Sequence, residues 1–543
     1  MANNDSSTEI MDIAIVGGGV SGVYSAYRLL TSDLQGAPEL AELAKGRPNG
    51  RLRVGVFESS SHIGGRLLSA VPPDMPNLIV ELGGMRYMST HTYVKALVEN
   101  KLRLRTYEFP VNLPENLVYL RGQRYRLADI AQCGTPGGPT LPYGLSWAER
   151  SVDPRNLLGN ALDAILPGLT TMGATEMWEV LRNAKVDGRH IYDYGLWNLV
   201  NKALSYEAYQ LGRVVGGYDC LTLNYNAADT AAASFEFEPG ATFSAFVDGF
   251  HEVPQRLADM TQAEGGEITC DMPLRSVTTG DGPGVTLTFA NGSVVRAHKV
   301  ILAMPRRALE LLEQVGPVFD SANTEVRKLM QSVSGVSLFK LFTCYRYPWW
   351  EAVGVSSGRS LTDLPIRQCY YWGVDGQQPG SDPSNTNSVL MASYDDALNV
   401  EFWAGYRKQH VNAAYPNEGD SVDHRWGDHT APKAMVEEVH RQLMELHGVK
   451  YAPKPYAAAY QDWSEDPYGG GVHLWKIHQK SWEVVDRMVK PMPSVEVYVC
   501  GEAYSRNQTW VEGALETAEM VLQQWFKLPG PAWTYGQTPV PGE

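Results

Sequence analysis

The chain has 543 residues, of which 44% are hydrophobic and 20% are charged. This length and balance are typical of a globular protein with two or three packed units, and they exclude a disordered chain. The formal net charge of −15 argues against nucleic acid or an anionic membrane surface as a partner.

Membrane, metal and disulfide signals are weak along the whole sequence. No stretch approaches the roughly 18 consecutive apolar residues that a membrane-spanning helix requires. The six cysteines and twelve histidines have no metal-ligand spacing, so we expect reduced thiols and no metal site. The polar N-terminus lacks the basic and apolar regions of a signal peptide, which favours a cytoplasmic protein and leaves export by an unrecognised route open.

The first predicted unit is a strand, a glycine-rich turn and a helix. The β-branched and small residues up to Val16 indicate a strand buried on both faces, and the spacing from Val20 to Leu30 indicates a helix. Between them, Gly17 permits a tight turn, Gly19 lets a pyrophosphate approach the backbone, and Gly22 lets the helix pack on the strand. This pattern predicts a dinucleotide-binding unit.

A second predicted strand strengthens that hypothesis. It ends at Phe57 and is followed by Glu58, from which a carboxylate can accept both ribose hydroxyls and disfavour a 2′-phosphate. The interval from Gly22 to Glu58 exceeds the usual spacing of about 20 residues. A Pro- and Gly-containing insert from Asp33 to Gly50 accounts for the excess, because it lengthens the crossover without moving the end of the strand.

The middle of the chain contains a predicted helical segment followed by a predicted strand-rich segment. From Ser151 to Phe235 the apolar residues have helical spacing. From Ser337 to Tyr468 the sequence is strand-rich and aromatic, which predicts a large sheet. Tyrosine and tryptophan suit a pocket with an apolar body and a polar rim, although the same residues also serve as ordinary core.

Several blocks together resemble the flavin amine oxidase family, in its L-amino acid oxidase branch. After Glu58 come the run Gly64-Gly65-Arg66 and the segment from Glu81 to Tyr87, and near the end come Val497 to Glu502 and Thr509 to Ala518. The resemblance implies an α/β fold. Its parts would be a discontinuous Rossmann-like FAD-binding domain of the GR2 type, a mixed-sheet substrate domain and an inserted helical domain.

The same resemblance implies a domain organisation and a homodimer. The expected boundaries are 9–70, 240–335 and 485–528 for the FAD-binding domain, 71–150 and 336–484 for the substrate domain, 151–239 for the helical domain, and 529–543 for an extended tail.

A cofactor as long as FAD needs contacts from separated blocks of the chain. Arg66 is the expected cation for the pyrophosphate, Glu502 would meet the ribityl or pyrophosphate region unless it only caps a helix, and Leu274 would contact adenine through its backbone. Val472 follows a glycine run where monoamine oxidases carry a cysteine, so we expect non-covalent FAD. The expected cofactor contacts are Gly17, Gly19, Val20, Ser21, Gly22, Glu58, Ser59, Gly65, Arg66, Gly83, Gly84, Met85, Arg86, Leu274, Gly501, Glu502, Trp510 and Val511.

Arg86 is the residue from which we predict the substrate class. In the family, the branch with arginine at this place oxidises α-amino acids, because a guanidinium can bind a carboxylate through two parallel hydrogen bonds. The alternative is a structural ion pair with Glu81. Tyr394, and as a second choice Tyr371, would add a hydroxyl donor to the same carboxylate.

Three further residues are expected at the reacting centre, and one at its edge. Lys340, inside an apolar run, is similar to the family lysine that holds a water near the flavin N5; the alternative is an outward strand residue. Trp510 would wall the substrate, or merely plug the start of a helix. Thr509 replaces a glycine that is common in relatives, which puts a backbone contact to the substrate amine in doubt. Trp475 is a pocket wall or a core residue.

The reaction implied by the resemblance is oxidative deamination of L-amino acids. Hydride passes from the substrate Cα to the flavin N5, the imino acid hydrolyses to a 2-oxo acid and ammonia, and O₂ reoxidises the flavin to give hydrogen peroxide. The alternatives are an amino-acid 2-monooxygenase similar to tryptophan 2-monooxygenase, an amine or polyamine oxidase, and a flavin-binding protein without turnover.

Overall fold

A computed structural model describes residues 10–47, 49–235, 241–280, 282–407, 413–420 and 423–534. The strands within these ranges, numbered β1 to β23, are Met11–Val16, Val54–Phe57, Ser69–Ala70, Val80–Glu81, Tyr87–Met88, Thr106–Glu108, Leu117–Leu120, Gln123–Arg126, Lys185–Val186, Arg189–His190, Phe243–Phe246, Glu267–Thr269, Leu274–Thr279, Val285–Phe289, Val294–Leu302, Val333–Val336, Leu338–Tyr345, Arg359–Thr362, Gln368–Val374, Ser388–Asp396, Ala457–Asp462, Val472–Trp475 and Val497–Val499.

The α-helices of the same ranges, numbered α1 to α19, are Val20–Thr31, Pro38–Lys45, Thr92–Ala96, Leu127–Ile130, Trp147–Arg150, Leu157–Ile165, Ala174–Asn183, Leu196–Val200, Tyr206–Gly216, Ala227–Phe235, Glu252–Ala263, Arg306–Glu310, Gly316–Phe319, Thr324–Met330, Val400–Ala404, His424–Asp428, Lys433–His447, Ser481–Val489 and Val511–Glu519. None of these helices is long and apolar enough to cross a bilayer.

The first large sheet has the order β12-β2-β1-β15-β14-β13, with β23 also paired to β15. Strands β12, β2, β1, β15 and β23 are parallel, and β1 lies at the centre, with Ile15 opposite both Val56 and Ile301. Every residue of β1 is buried, and α1 packs against α11 and α19. The predicted strand, helix and second strand are confirmed.

The second large sheet has the order β21-β17-β20-β19-β18-β7-β8 and is antiparallel except between β18 and β7. Both of its faces are covered. Phe339 and Leu341 of β17 pack in one apolar cluster, whereas Phe342 and Cys344 pack in another on the opposite side. The register between β17 and β20 shifts between Leu341 and Phe342, and at this irregularity the buried side chains change from one face of the sheet to the other.

The helices between residues 157 and 235 have an apolar cluster of their own, which includes Leu181, Leu199 and Tyr209. We call residues 157–235 the helical insert. Together with the two large sheets it confirms the predicted α/β class with an added helical part. The exact domain bounds stay a prediction, and β16 pairs with β22 across the predicted boundary at residue 335.

The described part of the predicted tail packs against the protein. The Trp533 ring contacts the rings of Tyr24 and Tyr27. The backbone carbonyl oxygen of Trp533 accepts a hydrogen bond of 2.8 Å from the Asn100 side chain. The Arg28 guanidinium also donates to the Pro529 carbonyl oxygen. Residues 529–534 therefore cover α1, and the rest of the predicted tail lies outside the described residues.

Candidate active site

One cavity of about 500 Å³ brings together residues from both large sheets and the helical insert. The carboxyl ends of β1, β15 and β23 form one side, where ligands of parallel sheets usually bind. The predicted site residues that line this cavity are Gly17, Gly19, Val20, Ser21, Glu58, Ser59, Gly65, Arg66, Gly83, Gly84, Met85, Arg86, Leu274, Lys340, Tyr394, Gly501, Glu502, Thr509, Trp510 and Val511.

The glycine turn after β1 allows very close packing. Gly17 has a φ of +108°, and a Cβ placed on it would lie 2.3 Å from the Ala303 carbonyl oxygen. A Cβ on Gly22 would lie 1.9 Å from the Gly17 carbonyl oxygen, so Gly22 does not line the cavity but brings α1 against the turn. Around Gly19, by contrast, there is open space towards the cavity. The turn therefore fits a phosphate group that approaches the backbone.

Glu58 lies beside this turn with its carboxylate fixed. Its Oε2 accepts a hydrogen bond of 2.6 Å from the Gly18 N–H, and its Oε1 accepts one of 2.8 Å from the Ser60 N–H. The hydroxyls of Ser59 and Ser60 also donate to Oε1. These bonds orient an acid at the cavity edge, where we predict contact with the ribose.

Arg66 and Glu502 form a second fixed pair on the cavity wall. The Arg66 guanidinium donates to Glu502 Oε2 at 3.0 Å and to the Gly471 carbonyl oxygen at 2.7 Å. Glu502 also accepts hydrogen bonds from the backbone N–H groups of His473 and Thr509. Burial alone would raise the pKa of Glu502, but His473 and Arg66 lower it to about 2. The pair thus supplies an oriented cation for the predicted pyrophosphate contact.

Arg86 is a buried cation at the other end of the cavity. Its Nη2 donates to the Tyr218 hydroxyl at 2.9 Å, and its guanidinium carbon lies 4.1 Å from the centre of the Phe243 ring. In the described ranges its Nε has no hydrogen-bond partner, and the charged or polar groups that act on the guanidinium are the tyrosines Tyr218, Tyr370 and Tyr394 and no carboxylate. Glu81 instead accepts from Ser69 and from the Phe250 N–H, so the alternative Arg86–Glu81 pair does not form.

Lys340 is buried on the cavity side of the second sheet. Its Nζ donates to the carbonyl oxygens of Glu81, at 2.9 Å, and Gly83, and it lies 5.1 Å from the centre of the Tyr394 ring. Burial lowers the pKa of Lys340 to about 7, with Arg86 acting in the same direction and Glu81 opposing it. The alternative of an outward surface lysine is therefore excluded.

Trp510 and Thr509 lie where the last helix begins. The Trp510 ring lies between the His91 ring, 4.8 Å away, and the Phe243 ring, 6.5 Å away and nearly parallel. Thr509 has a φ of +75°, a conformation that disfavours β-branched residues and suits glycine. The backbone at Thr509 thus keeps a glycine-like turn although the side chain is not glycine.

Two predicted substrate contacts lie away from the cavity. The Tyr371 hydroxyl bonds to Ser360 at 2.7 Å and to His447 Nε2 at 2.9 Å, on the opposite face of the second sheet. Its neighbour Tyr370 faces Arg86 instead, with 3.5 Å between its hydroxyl and Nη1. Trp475 is buried in the core of the first sheet and donates to the Ser505 carbonyl oxygen.

The helical insert contributes residues to the cavity that no sequence pattern indicates. Tyr218, Cys220, Leu221 and Ala233 all line it, and none of them belongs to a motif. In the described ranges, no three His, Cys, Asp or Glu side chains lie close enough together to hold a metal ion.

Comparison with known proteins decides the family. Residues 20–521 match the model for flavin containing amine oxidoreductases. The chain belongs to this family. It is 26% identical to Aplysianin-A of Aplysia kurodai, over 97% of this chain and 92% of that protein. It is 24% identical to the L-amino-acid oxidase of Mus musculus, over 86% of this chain and 65% of that protein.

The fold agrees with the family assignment. Putrescine oxidase bound to putrescine superposes with a TM-score of 0.63 at 17% identity, covering 95% of this chain and 98% of that one. The cofactor of this amine oxidoreductase is FAD, bound without a covalent link. The residues present fit it, because the open space at Gly19, the fixed acid Glu58 and the oriented cation Arg66 lie along one continuous cavity.

Proposed function

We propose that the protein oxidises L-amino acids to 2-oxo acids. One amino acid, one O₂ and one water would give one 2-oxo acid, one ammonia and one hydrogen peroxide. The observation that carries this proposal is Arg86, a buried cation on the cavity wall that has no carboxylate partner in the described ranges. The similarity to the mouse L-amino-acid oxidase points the same way.

Burial of the Arg86 guanidinium carries a desolvation cost. A charged group that is buried without a counter-ion is costly, and a carboxylate bound to it restores favourable electrostatics. Arg86 offers Nη1, Nη2 and an unpartnered Nε, and a guanidinium can bind both oxygens of a carboxylate at once. An amine without a carboxylate would leave this cation uncompensated, so Arg86 favours α-amino acids over simple amines.

The remaining residues would orient the substrate and the proton. Bound FAD would supply the acceptor for the hydride, which carries two electrons, that leaves the substrate Cα. With its carboxylate on Arg86, the substrate would place its side chain near the Trp510 and Tyr394 rings. The apolar surroundings favour the neutral form of the substrate amine, from which hydride leaves more easily.

Lys340 would hold a water at the cavity. Above pH 7 its side chain is a neutral amine, because burial lowers its pKa to about 7. A neutral amine has two N–H groups, and the carbonyl oxygens of Glu81 and Gly83 accept from Nζ. The lone pair then remains for a water or a proton on the cavity side.

Product analysis tests the proposal. The holoenzyme is incubated with L-leucine and air, without catalase, and O₂ uptake, peroxide, ammonia and organic products are measured at early times, before accumulated peroxide decarboxylates the 2-oxo acid. We expect one peroxide and one 2-oxo acid for each O₂ consumed, and no turnover of D-leucine. An amide and CO₂ in place of the 2-oxo acid would contradict the proposal and indicate a monooxygenase.

A further inference from the structure

Tyr218 is the residue of the helical insert that lies closest to the proposed carboxylate site. It follows α9 and Gly217, whose φ of +87° ends that helix, and it lines the cavity. Its hydroxyl lies 2.9 Å from Arg86 Nη2, and its ring packs edge-on against the Tyr394 ring at 5.7 Å. Residues from three parts of the chain therefore meet at one point of the cavity wall.

The Tyr218 hydroxyl has no short hydrogen-bond acceptor for its proton in the described ranges. A guanidinium can only donate, so the hydroxyl accepts from Arg86 and must donate its own proton elsewhere. The one other partner in the described ranges is the Tyr370 hydroxyl, at 3.4 Å, which is long for an O–H···O bond. Burial raises the pKa of Tyr218, so the phenol keeps its proton.

The backbone around Tyr218 is firmly held. The Asp396 carboxylate accepts hydrogen bonds from the N–H groups of Asp219, at 2.9 Å, and Cys220, at 2.7 Å. The Gly217 carbonyl oxygen accepts a bond of 2.8 Å from the Gln368 side chain. These contacts tie the segment to β19 and β20 of the second sheet. Tyr218 is thus a fixed part of the wall and is pre-organised for a ligand.

We propose that Tyr218 donates a hydrogen bond to the substrate carboxylate that Arg86 binds. The helical insert then supplies a direct ligand to the substrate, beside Arg86 from the segment between β4 and β5. This inference rests on the proposed function, since it requires a carboxylate at Arg86. It makes Tyr218 a determinant of substrate affinity.

The test measures binding of an unreactive carboxylate to the holoenzyme. The probe is 4-methylpentanoate, which is leucine without its amine, and its Kd is measured from the absorbance change of the bound flavin. For Tyr218→Phe we expect a Kd about 10- to 100-fold higher, as for loss of one bond to a charged group. The KM for L-leucine should rise by a similar factor, while kcat changes by less than about 3-fold.

Two further variants make the result specific. Tyr225→Phe removes a hydroxyl from the same segment but outside the cavity, and it should leave the Kd within about 2-fold of the wild-type value. Tyr370→Phe removes the other hydroxyl beside Arg86. An unchanged Kd in Tyr218→Phe, or equal losses in Tyr218→Phe and Tyr370→Phe, would overturn the inference, because the second result would mean that the tyrosines only orient Arg86.

Failure of the proposed function has a different signature. If Arg86→Met binds 4-methylpentanoate as tightly as the wild type does, no carboxylate is held at Arg86 and both proposals are overturned. If Arg86→Met loses binding and Tyr218→Phe does not, only the inference about Tyr218 is overturned. Flavin content and the unfolding midpoint of each variant show that the substitution has left the fold intact.

Discussion

Replacing Arg86 by methionine should abolish the preference for amino acids without weakening the fold. Methionine has nearly the same length and is apolar, so it fits among the Phe109, Phe243 and Tyr370 rings that surround the guanidinium. The variant removes the guanidinium charge from this end of the cavity and keeps the packing around it.

The expected loss follows from the hydrogen bonds that the substitution removes. A hydrogen bond to a charged group contributes about 1.5–3 kcal/mol, and Arg86 presents two such donors to a carboxylate. Allowing for non-additivity, we expect a loss of about 3–4 kcal/mol in transition-state binding, which is roughly a 10²- to 10³-fold fall in kcat/KM for L-leucine. Arg86→Lys, which keeps the charge but not the paired donors, should fall by about 10-fold.

The assay compares kcat/KM for L-leucine and for 3-methylbutylamine, which is leucine without its carboxylate. Arg86→Met should lose activity with leucine only, and its unfolding midpoint should equal or exceed that of the wild type, because a buried unpaired charge is removed. A variant that keeps leucine activity within about 3-fold would refute the reasoning. So would a marked fall in the unfolding midpoint, since it would make Arg86 a structural cation.

Three more predictions concern stability. Lys340→Met should have a higher free energy of unfolding than the wild type below pH 7. This difference should shrink between pH 7 and about 10, because in that range the lysine of the unfolded chain binds a proton and the buried lysine does not. Unfolding midpoints measured across the range test this prediction, and a difference that does not depend on pH would contradict it. Thr509→Gly should raise the free energy of unfolding in urea by about 1 kcal/mol, because glycine adopts the positive φ of this position without strain. Thr509→Ala is the control, and a lower urea midpoint for the glycine variant would count against this explanation. Trp533→Ala should lower the free energy of unfolding, measured by urea titration, by about 2–3 kcal/mol, because the contacts with Tyr24 and Tyr27 are lost. An unchanged midpoint would show that this part of the tail does not stabilise the fold.

The parts of the site that local sequence determines were predictable. Gly17, Gly19 and Gly22 act within a single turn, and their spacing alone indicates what the backbone must do. Glu58 and Arg66 lie close after the second strand of the same predicted dinucleotide-binding unit. Family resemblance then supplied Arg86, Lys340 and Trp510, and the structure brings all of them to one cavity.

Strand patterns gave less information because the second sheet is buried on both faces. An alternating strand with one wet face shows which side chains point outward, but β19 is apolar on both sides. The sequence therefore could not distinguish Tyr371, which lies away from the cavity, from Tyr370, which lies beside Arg86.

The contribution of Tyr218 depends on tertiary structure alone. It lies 132 residues from Arg86 in sequence. Its place is set by the hydrogen bond that the Asp396 carboxylate accepts from the Asp219 N–H and by the one that the Gln368 side chain donates to the Gly217 carbonyl oxygen. No spacing rule connects these positions. Trp475 is a similar case, because the pairing of β16 with β22 carries it into the core of the first sheet.

The measurement that tests the central claim most directly is an anaerobic one. The holoenzyme is mixed with L-leucine and, separately, with 3-methylbutylamine, and the flavin absorbance band is followed in time. Binding of the carboxylate at Arg86 predicts that L-leucine bleaches the band at least about 100-fold faster than the amine does. Equal bleaching by both compounds, or faster bleaching by the amine, would contradict the account.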